Sequence, residues 1–147
     1  MTKRKKKTHG HWDTILTLKP DTAFGFIYLV TNTVSGRKYV GKKQYYFYRK
    51  GKKVSKSKWE TYTGSSKELN KDIKDLGKDK FIFEILAEYM TRGWLTYAEA
   101  NLQHKRDVLT TYMTDDMTPL YYNKQIGAIR YMPKRIDDPT PVKRVKK

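Results

Sequence analysis

Residues 24–43, FGFIYLVTNTVSGRKYVGKK, read as two short β-strands joined by a turn. Phe24, Phe26, Ile27, Tyr28, Leu29 and Val30 are aromatic or aliphatic, the types that fit a pleated, buried surface. Thr33, Val34, Ser35 and Gly36 supply the turn, and Arg37 to Lys43 resumes an extended pattern around Tyr39 and Val40. The first run holds the triplet Phe26-Ile27-Tyr28 and the second holds Tyr39-Val40-Gly41. In antiparallel strands the two tyrosines can point from one face of the sheet into a shared pocket.

The whole chain has 147 residues, enough for one domain with one modest core. Lys and Arg number 32 against 15 Asp and Glu, a formal charge of +17. Such an excess repels itself and favours a polyanionic partner. Nucleic acid is the natural one, because each phosphate contact releases condensed counterions. No apolar run approaches the ~20 residues needed to span a bilayer. The Lys-rich N-terminus has no apolar segment behind it to make a signal peptide. The chain has no cysteine, which excludes disulfides and Cys-based zinc sites. These features predict a soluble, cytoplasmic protein that does not bind membranes.

Upstream of the hairpin, residues 1–20 read as a flexible basic arm, with Lys3-Arg4-Lys5-Lys6-Lys7 at its start and a lead-in from Trp12 to Asp21. His9 and His11 read as solvated, having no third metal ligand nearby. Downstream, a basic aromatic insertion at about 44–63 reads as a Lys-rich loop. Its cations (Lys50, Lys52, Lys53, Lys56 and Lys58) alternate with rings such as Trp59 and Tyr62. Cations that meet phosphates and rings that stack on bases suit a nucleic-acid surface. The alternative is that the rings cover the core while the lysines are solvated.

Ser65 or Ser66 can cap a helix whose apolar stripe is Leu69, Ile73 and Leu76, closed by Gly77. Lys80 to Tyr89 alternates as a third strand. Thr91 to Trp94 reads as a loop before a second helix from about Leu95 to Tyr112. That helix would open with a capping box between Thr96 and Glu99. Residues 132–147 form a basic, Pro-containing tail.

The paired triplets resemble the signature of the GIY-YIG nuclease family, with Phe26 in the first glycine position and Val40 in the second isoleucine position. The order strand, strand, helix, strand, helix also resembles the family core, over about Phe24 to Gly127. The implied fold is α+β, a small mixed or antiparallel three-stranded sheet flanked by helices, within a domain spanning 21–131. The resemblance implies that one tyrosine orients or deprotonates an attacking water, with Tyr39 as base and Tyr28 as its partner. A free tyrosine has a pKa near ~10, and nearby cations such as Lys38, Lys42 and Lys43 would lower it.

Lys42 follows the second triplet, as a lysine does in excision-repair members of the family. Arg49 stands where related enzymes carry a catalytic arginine; Lys42, Lys43 or a later insertion lysine is the alternative cation. Glu99 is the implied ligand for one Mg²⁺ or Mn²⁺ ion, against the alternative that it closes the capping box. Asn123 matches the family's late asparagine, against a plain turn residue. Trp59, Tyr62, Ser65 and Ser66 can line a DNA channel at a helix N-terminus.

The expected function is therefore a metal-dependent DNA endonuclease that leaves 5′-phosphate and 3′-hydroxyl ends. The alternative is a basic nucleic-acid-binding protein that uses the same fold without cutting. DNA is the expected partner, with room for a targeting protein, and the chain is expected as a monomer or weak dimer. Its compact size and basic tails resemble free-standing bacteriophage nucleases.

Overall fold

The computed structural model describes residues 9–114 and 117–132. Its centre is an antiparallel sheet in the order β2-β1-β5, with β1 at Gly25–Asn32, β2 at Lys38–Gln44 and β5 at Phe81–Tyr89. Between β2 and β5 the chain makes a two-stranded hairpin, β3 (Tyr46–Arg49) with β4 (Lys52–Lys56), and then helix α1 (Lys67–Leu76). Helix α2 (Arg92–Lys105) follows β5. This is the expected α+β architecture.

β1 is apolar without interruption because it is the middle strand and both of its faces are covered. Phe26, Tyr28 and Val30 pack toward Trp12, Trp59 and Leu69 of α1. Ile27 and Leu29 pack on the other side with Val40, Val108 and Leu95 of α2. A strand buried on both faces loses the apolar/polar alternation of a half-solvated one. Phe26 can replace the glycine of the first triplet because it fills the first cluster, with ring centroids 5.2 Å from Trp12, 5.2 Å from Tyr45 and 5.9 Å from Trp59.

The β1–β2 turn is closed by Asn32, whose buried side-chain oxygen accepts from the backbone N–H of Val34 at 2.9 Å and of Ser35 at 3.2 Å. Gly36 takes φ 84°, a conformation that favours glycine. Ser66 caps α1, accepting from the N–H of Leu69, and the Gly77 N–H returns to the Ile73 carbonyl. Leu69 is buried and Ile73 joins the core, while Leu76, the third member of the predicted stripe, is exposed.

Three expectations need correction. The N-terminal segment is folded onto the sheet from His9 onward, and residues 1–8 lie outside the described part. Trp12 is fully buried and its indole N–H donates to the Trp59 carbonyl at 2.7 Å. Asp13 pairs with the outer edge of β5, donating to Phe83 at 2.7 Å and accepting from Ile85 at 2.9 Å. His11 is not solvated: its ring stacks on Phe83 at 4.0 Å and both ring nitrogens are shut off from solvent.

The insertion is also no loop. Lys50 and Gly51, at φ 51° and 78°, form a two-residue turn between Arg49 and Lys52, which pair across the hairpin. Two successive positive φ values match the right-handed twist of the flanking strands. Lys in the first of those positions, instead of Asn or Asp, hides the turn from sequence reading.

Finally, α2 starts at Arg92. Thr91 is its N-cap, accepting from the Trp94 N–H at 3.1 Å, so the region 91–94 is the first turn of a helix. The helix ends at Lys105, and Asp107 with φ 50° turns the chain away. Leu109 and Tyr112 therefore lie beyond it and are exposed. The tail from 133 lies outside the described residues, and among those described no helix is long and apolar enough to cross a membrane.

Burial, and then the charge of Lys78, hold the His11 pKa down at about 4 against 6.5 when free. A histidine with a lowered folded pKa favours the folded state above its unfolded value. That contribution is lost as pH falls from 6.5 towards 4. The melting temperature of the chain should decline across this window, and His11→Phe should flatten the decline when both are followed by circular dichroism.

Candidate active site

β2 is an edge strand, and its outward backbone groups are satisfied one after another along the site. The Lys38 N–H donates to the Leu120 carbonyl at 2.9 Å and the Tyr122 N–H donates to the Lys38 carbonyl at 2.7 Å. At Val40 the buried amide of Asn123 takes over: its oxygen accepts from the Val40 N–H at 3.0 Å and its nitrogen donates to the Val40 carbonyl at 2.8 Å. Gln103 of α2 donates to the same carbonyl at 3.0 Å. Asn123 thus holds the backbone of the second triplet.

Tyr28 and Tyr39 lie on the same face of the sheet. Tyr28 pairs with Gly41 and Val30 with Tyr39, so the tyrosines are diagonal neighbours with ring centroids 6.1 Å apart. The Tyr28 hydroxyl rests directly on Gly41: a Cβ there would stand 2.4 Å from that oxygen. This contact is why the second triplet ends in glycine.

Tyr62 completes the cluster, with its ring centroid 6.2 Å from that of Tyr28, and Ser65 lies 3.2 Å from the Tyr39 hydroxyl. Tyr28 is only 1% exposed. Burial, followed by Tyr39, Tyr62 and Glu99, pushes its hydroxyl well above the usual tyrosine range, contrary to the expected lowering by cations. Tyr28 is therefore a protonated donor at neutral pH, while Tyr39 is partly open to solvent.

Glu99 faces the same region from α2. With α2 capped by Thr91, the proposed capping box does not exist, and Thr96 instead accepts from the Lys42 ammonium at 2.9 Å. The Lys42 ammonium is 4.0 Å from the Glu99 carboxylate, whose side chain is 19% exposed. Burial raises the Glu99 pKa, partly offset by the charge and backbone N–H of Lys42. Among the described residues no three His, Asp or Glu side chains converge on one point. The donor set is one hard, partly desolvated carboxylate beside hydroxyls. That suits a hard divalent cation that keeps most of its waters, and does not suit a closed metal cage.

An open cavity of about 360 Å³ adjoins this pair, lined in part by Lys42, Lys43, Tyr62, Arg92 and Thr96. The Lys43 ammonium sits 4.0 Å over the Tyr62 ring, and burial lowers its pKa. Arg92, which falls in an expected loop and carries no role in the sequence analysis, contributes a permanent charge to the cavity from the start of α2. Tyr62, expected only as a DNA contact, belongs to the hydroxyl cluster.

The remaining candidates divide. Arg49 is exposed at the tip of the β3–β4 hairpin, where its backbone pairs with Lys52; its side chain makes no hydrogen bond or ion pair with another described residue and does not line the cavity. Trp59 is 6% exposed within the core, so its ring is not offered for stacking. Ser66 is engaged as the α1 cap and Ser65 stands beside Tyr39. Lys50, Lys52, Lys56 and Lys58 are exposed, while Lys53 donates to the Asp21 carbonyl at 2.8 Å.

Asn123→Ala should cost about 2 kcal/mol in a denaturant titration, because the buried Val40 N–H loses its partner. Glu99→Gln should have the opposite sign. A carboxyl with a raised folded pKa destabilises the chain as pH rises through the interval from its unfolded to its folded value. The glutamine variant should therefore melt higher than the parent at neutral pH, and the gap should close in acid.

Searches among the curated proteins and among the solved structures returned no match. A family model described as "Putative endonuclease segE, GIY-YIG domain" matches residues 5–126, which cover β1 to α2 and Asn123. On that match, with the two triplets paired across β1 and β2, the chain belongs to the GIY-YIG nuclease family.

Proposed function

We propose that the chain is a metal-dependent DNA endonuclease in which Tyr39 meets the attacking water. The observation that carries this reading is the convergence of Tyr28, Tyr39 and Tyr62 over Gly41 with the Lys42–Glu99 pair beside them. Phosphodiester hydrolysis needs a group to orient and deprotonate water, cations against the growing charge, and help for the departing oxygen. Tyr39 is partly open to solvent, and Ser65 stands 3.2 Å from its hydroxyl. Tyr28, buried and protonated, donates within the cluster and fixes the pocket floor.

Lys42, Lys43 and Arg92 flank the cavity and are placed to hold phosphate oxygens. Arg is suited to a two-point grip, and Lys to a point contact. This set replaces Arg49 as the source of catalytic positive charge. Glu99 would hold one Mg²⁺ or Mn²⁺ ion. When bound, the ion supplies Lewis-acid stabilisation of phosphate oxygens and of the leaving 3′ oxygen. The products would carry 5′-phosphate and 3′-hydroxyl ends.

A supercoiled-plasmid assay at low salt tests this. Mg²⁺ or Mn²⁺ should convert the plasmid to nicked or linear DNA and EDTA should stop it. Glu99→Ala should lower the rate by about 100-fold or more, with DNA binding largely kept. Arg92→Ala should weaken cutting more than Arg49→Ala does. The metal assignment has a second readout, since a bound ion stabilises the folded state. Mn²⁺ should raise the melting temperature of the parent and leave that of Glu99→Ala unchanged. Wild-type cutting by Glu99→Ala would remove the metal assignment, and DNA binding without cutting under every metal would favour a non-catalytic binder.

A further inference from the structure

The β3–β4 hairpin has two unlike faces. Its inner face is anchored: the Tyr46 hydroxyl donates to Asp21 at 2.9 Å, Tyr48 stacks on Phe24 at 5.4 Å, and Lys53 reaches the Asp21 carbonyl. Its outer face presents the cross-strand pairs Phe47–Ser55 and Arg49–Lys52, with Val54 at the irregularity between them. Phe47 is 46% exposed and Val54 62% exposed, so apolar groups stand open on a ribbon that is otherwise basic. No acidic residue occurs from Lys42 to Lys58.

The outer face is also continuous with the cavity. Phe47 lines it together with Lys42 and Arg92, and the Lys43 ammonium lies 5.5 Å from the Phe47 ring. An anchored two-stranded ribbon therefore adjoins the edge of the candidate active site. It ends in the tight Lys50-Gly51 turn and is charged along its length.

Resting on the nuclease reading above, we propose that this hairpin is the DNA-reading element of the chain, entering the major groove beside the scissile phosphate. The dimensions agree. Two paired strands are ~4.8 Å apart, and four or five residues reach roughly 13–16 Å. The major groove is about 12 Å wide and about 8.5 Å deep, which admits a two-stranded ribbon. Arg49 is then a candidate for guanine O6 and N7, and Val54 and Phe47 for thymine methyl groups, while Lys50 and Lys52 meet phosphates on the groove walls. Arg49 thus takes a recognition role in place of the catalytic one that its position in the sequence suggests.

Methylation interference on the full-length Glu99→Ala chain tests the proposal. The probe is a duplex that spans a cleavage position mapped with the active protein. It is methylated beforehand either at guanine N7, in the major groove, or at adenine N3, in the minor groove. Guanine N7 methylation on one flank of the cut should block binding. A chain that also carries Arg49→Ser, Lys52→Ser and Val54→Ser should lose that interference and bind about tenfold more weakly, with an unchanged melting temperature. Interference from adenine N3 alone, or an unchanged N7 pattern in the substituted chain, would overturn the hairpin assignment and leave the nuclease reading standing. Failure of the Glu99→Ala chain to bind that duplex would likewise overturn the hairpin assignment, whereas absence of any cleavage by the active protein would remove the nuclease reading on which it rests.

Discussion

The site depends on how the outer edge of β2 is completed. A buried backbone N–H or carbonyl without a partner is costly, and an edge strand presents a row of them. Here the partners change from residue to residue. Backbone from Leu120 and Tyr122 serves Lys38, and the single side chain of Asn123 serves both polar groups of Val40. The Lys42 backbone N–H then turns to the Glu99 carboxylate. The same groups that close the edge also place the amide, the carboxylate and the second triplet relative to one another. A substitution at Asn123 would therefore be felt in the backbone on which Tyr39 and Gly41 stand.

Burial places two chemically identical hydroxyls in two different environments. Tyr28 lies beneath the cluster, pressed on Gly41 and held protonated, and Tyr39 lies at the opening. Glu99 is held in an environment that opposes its charge, with a single cation 4.0 Å away. A carboxylate kept in that condition lowers the stability of the chain, which is a common feature of residues retained for function. Arg92 and Lys43 add positive charge around the cavity that Lys42 and Tyr62 also line, while Tyr39 opens beside Ser65 and Ser66.

Much of this was legible in the sequence because the signals are local. The apolar run of β1, the alternation of Phe81, Phe83 and Ile85, and the Ser66-to-Gly77 frame of α1 are each specified by neighbouring residues. Where the outcome depends on distant contacts, the sequence is silent or misleading. Trp12 follows a run of charge and looks like part of a solvated arm, but it is buried through partners more than 40 residues away. Trp59 lies among lysines and looks like a stacking surface, but it supports Trp12. Glu99 has the spacing of a capping box, and only the position of Thr91 shows that the helix is already under way. Arg92 and β2 are brought together by the fold alone.

The proposed mechanism assigns the attacking water to Tyr39 and not to Tyr28. The most direct measurement is the single-turnover nicking rate as a function of pH for the parent, Tyr39→Phe and Tyr28→Phe, with melting temperatures taken alongside. Tyr39→Phe should lose about 100-fold or more and no longer show the parent's rise in rate with pH. Tyr28→Phe should keep that rise at a reduced rate. A Tyr39→Phe chain that retained both the rate and the pH dependence, with Tyr28→Phe losing them, would contradict the assignment to Tyr39.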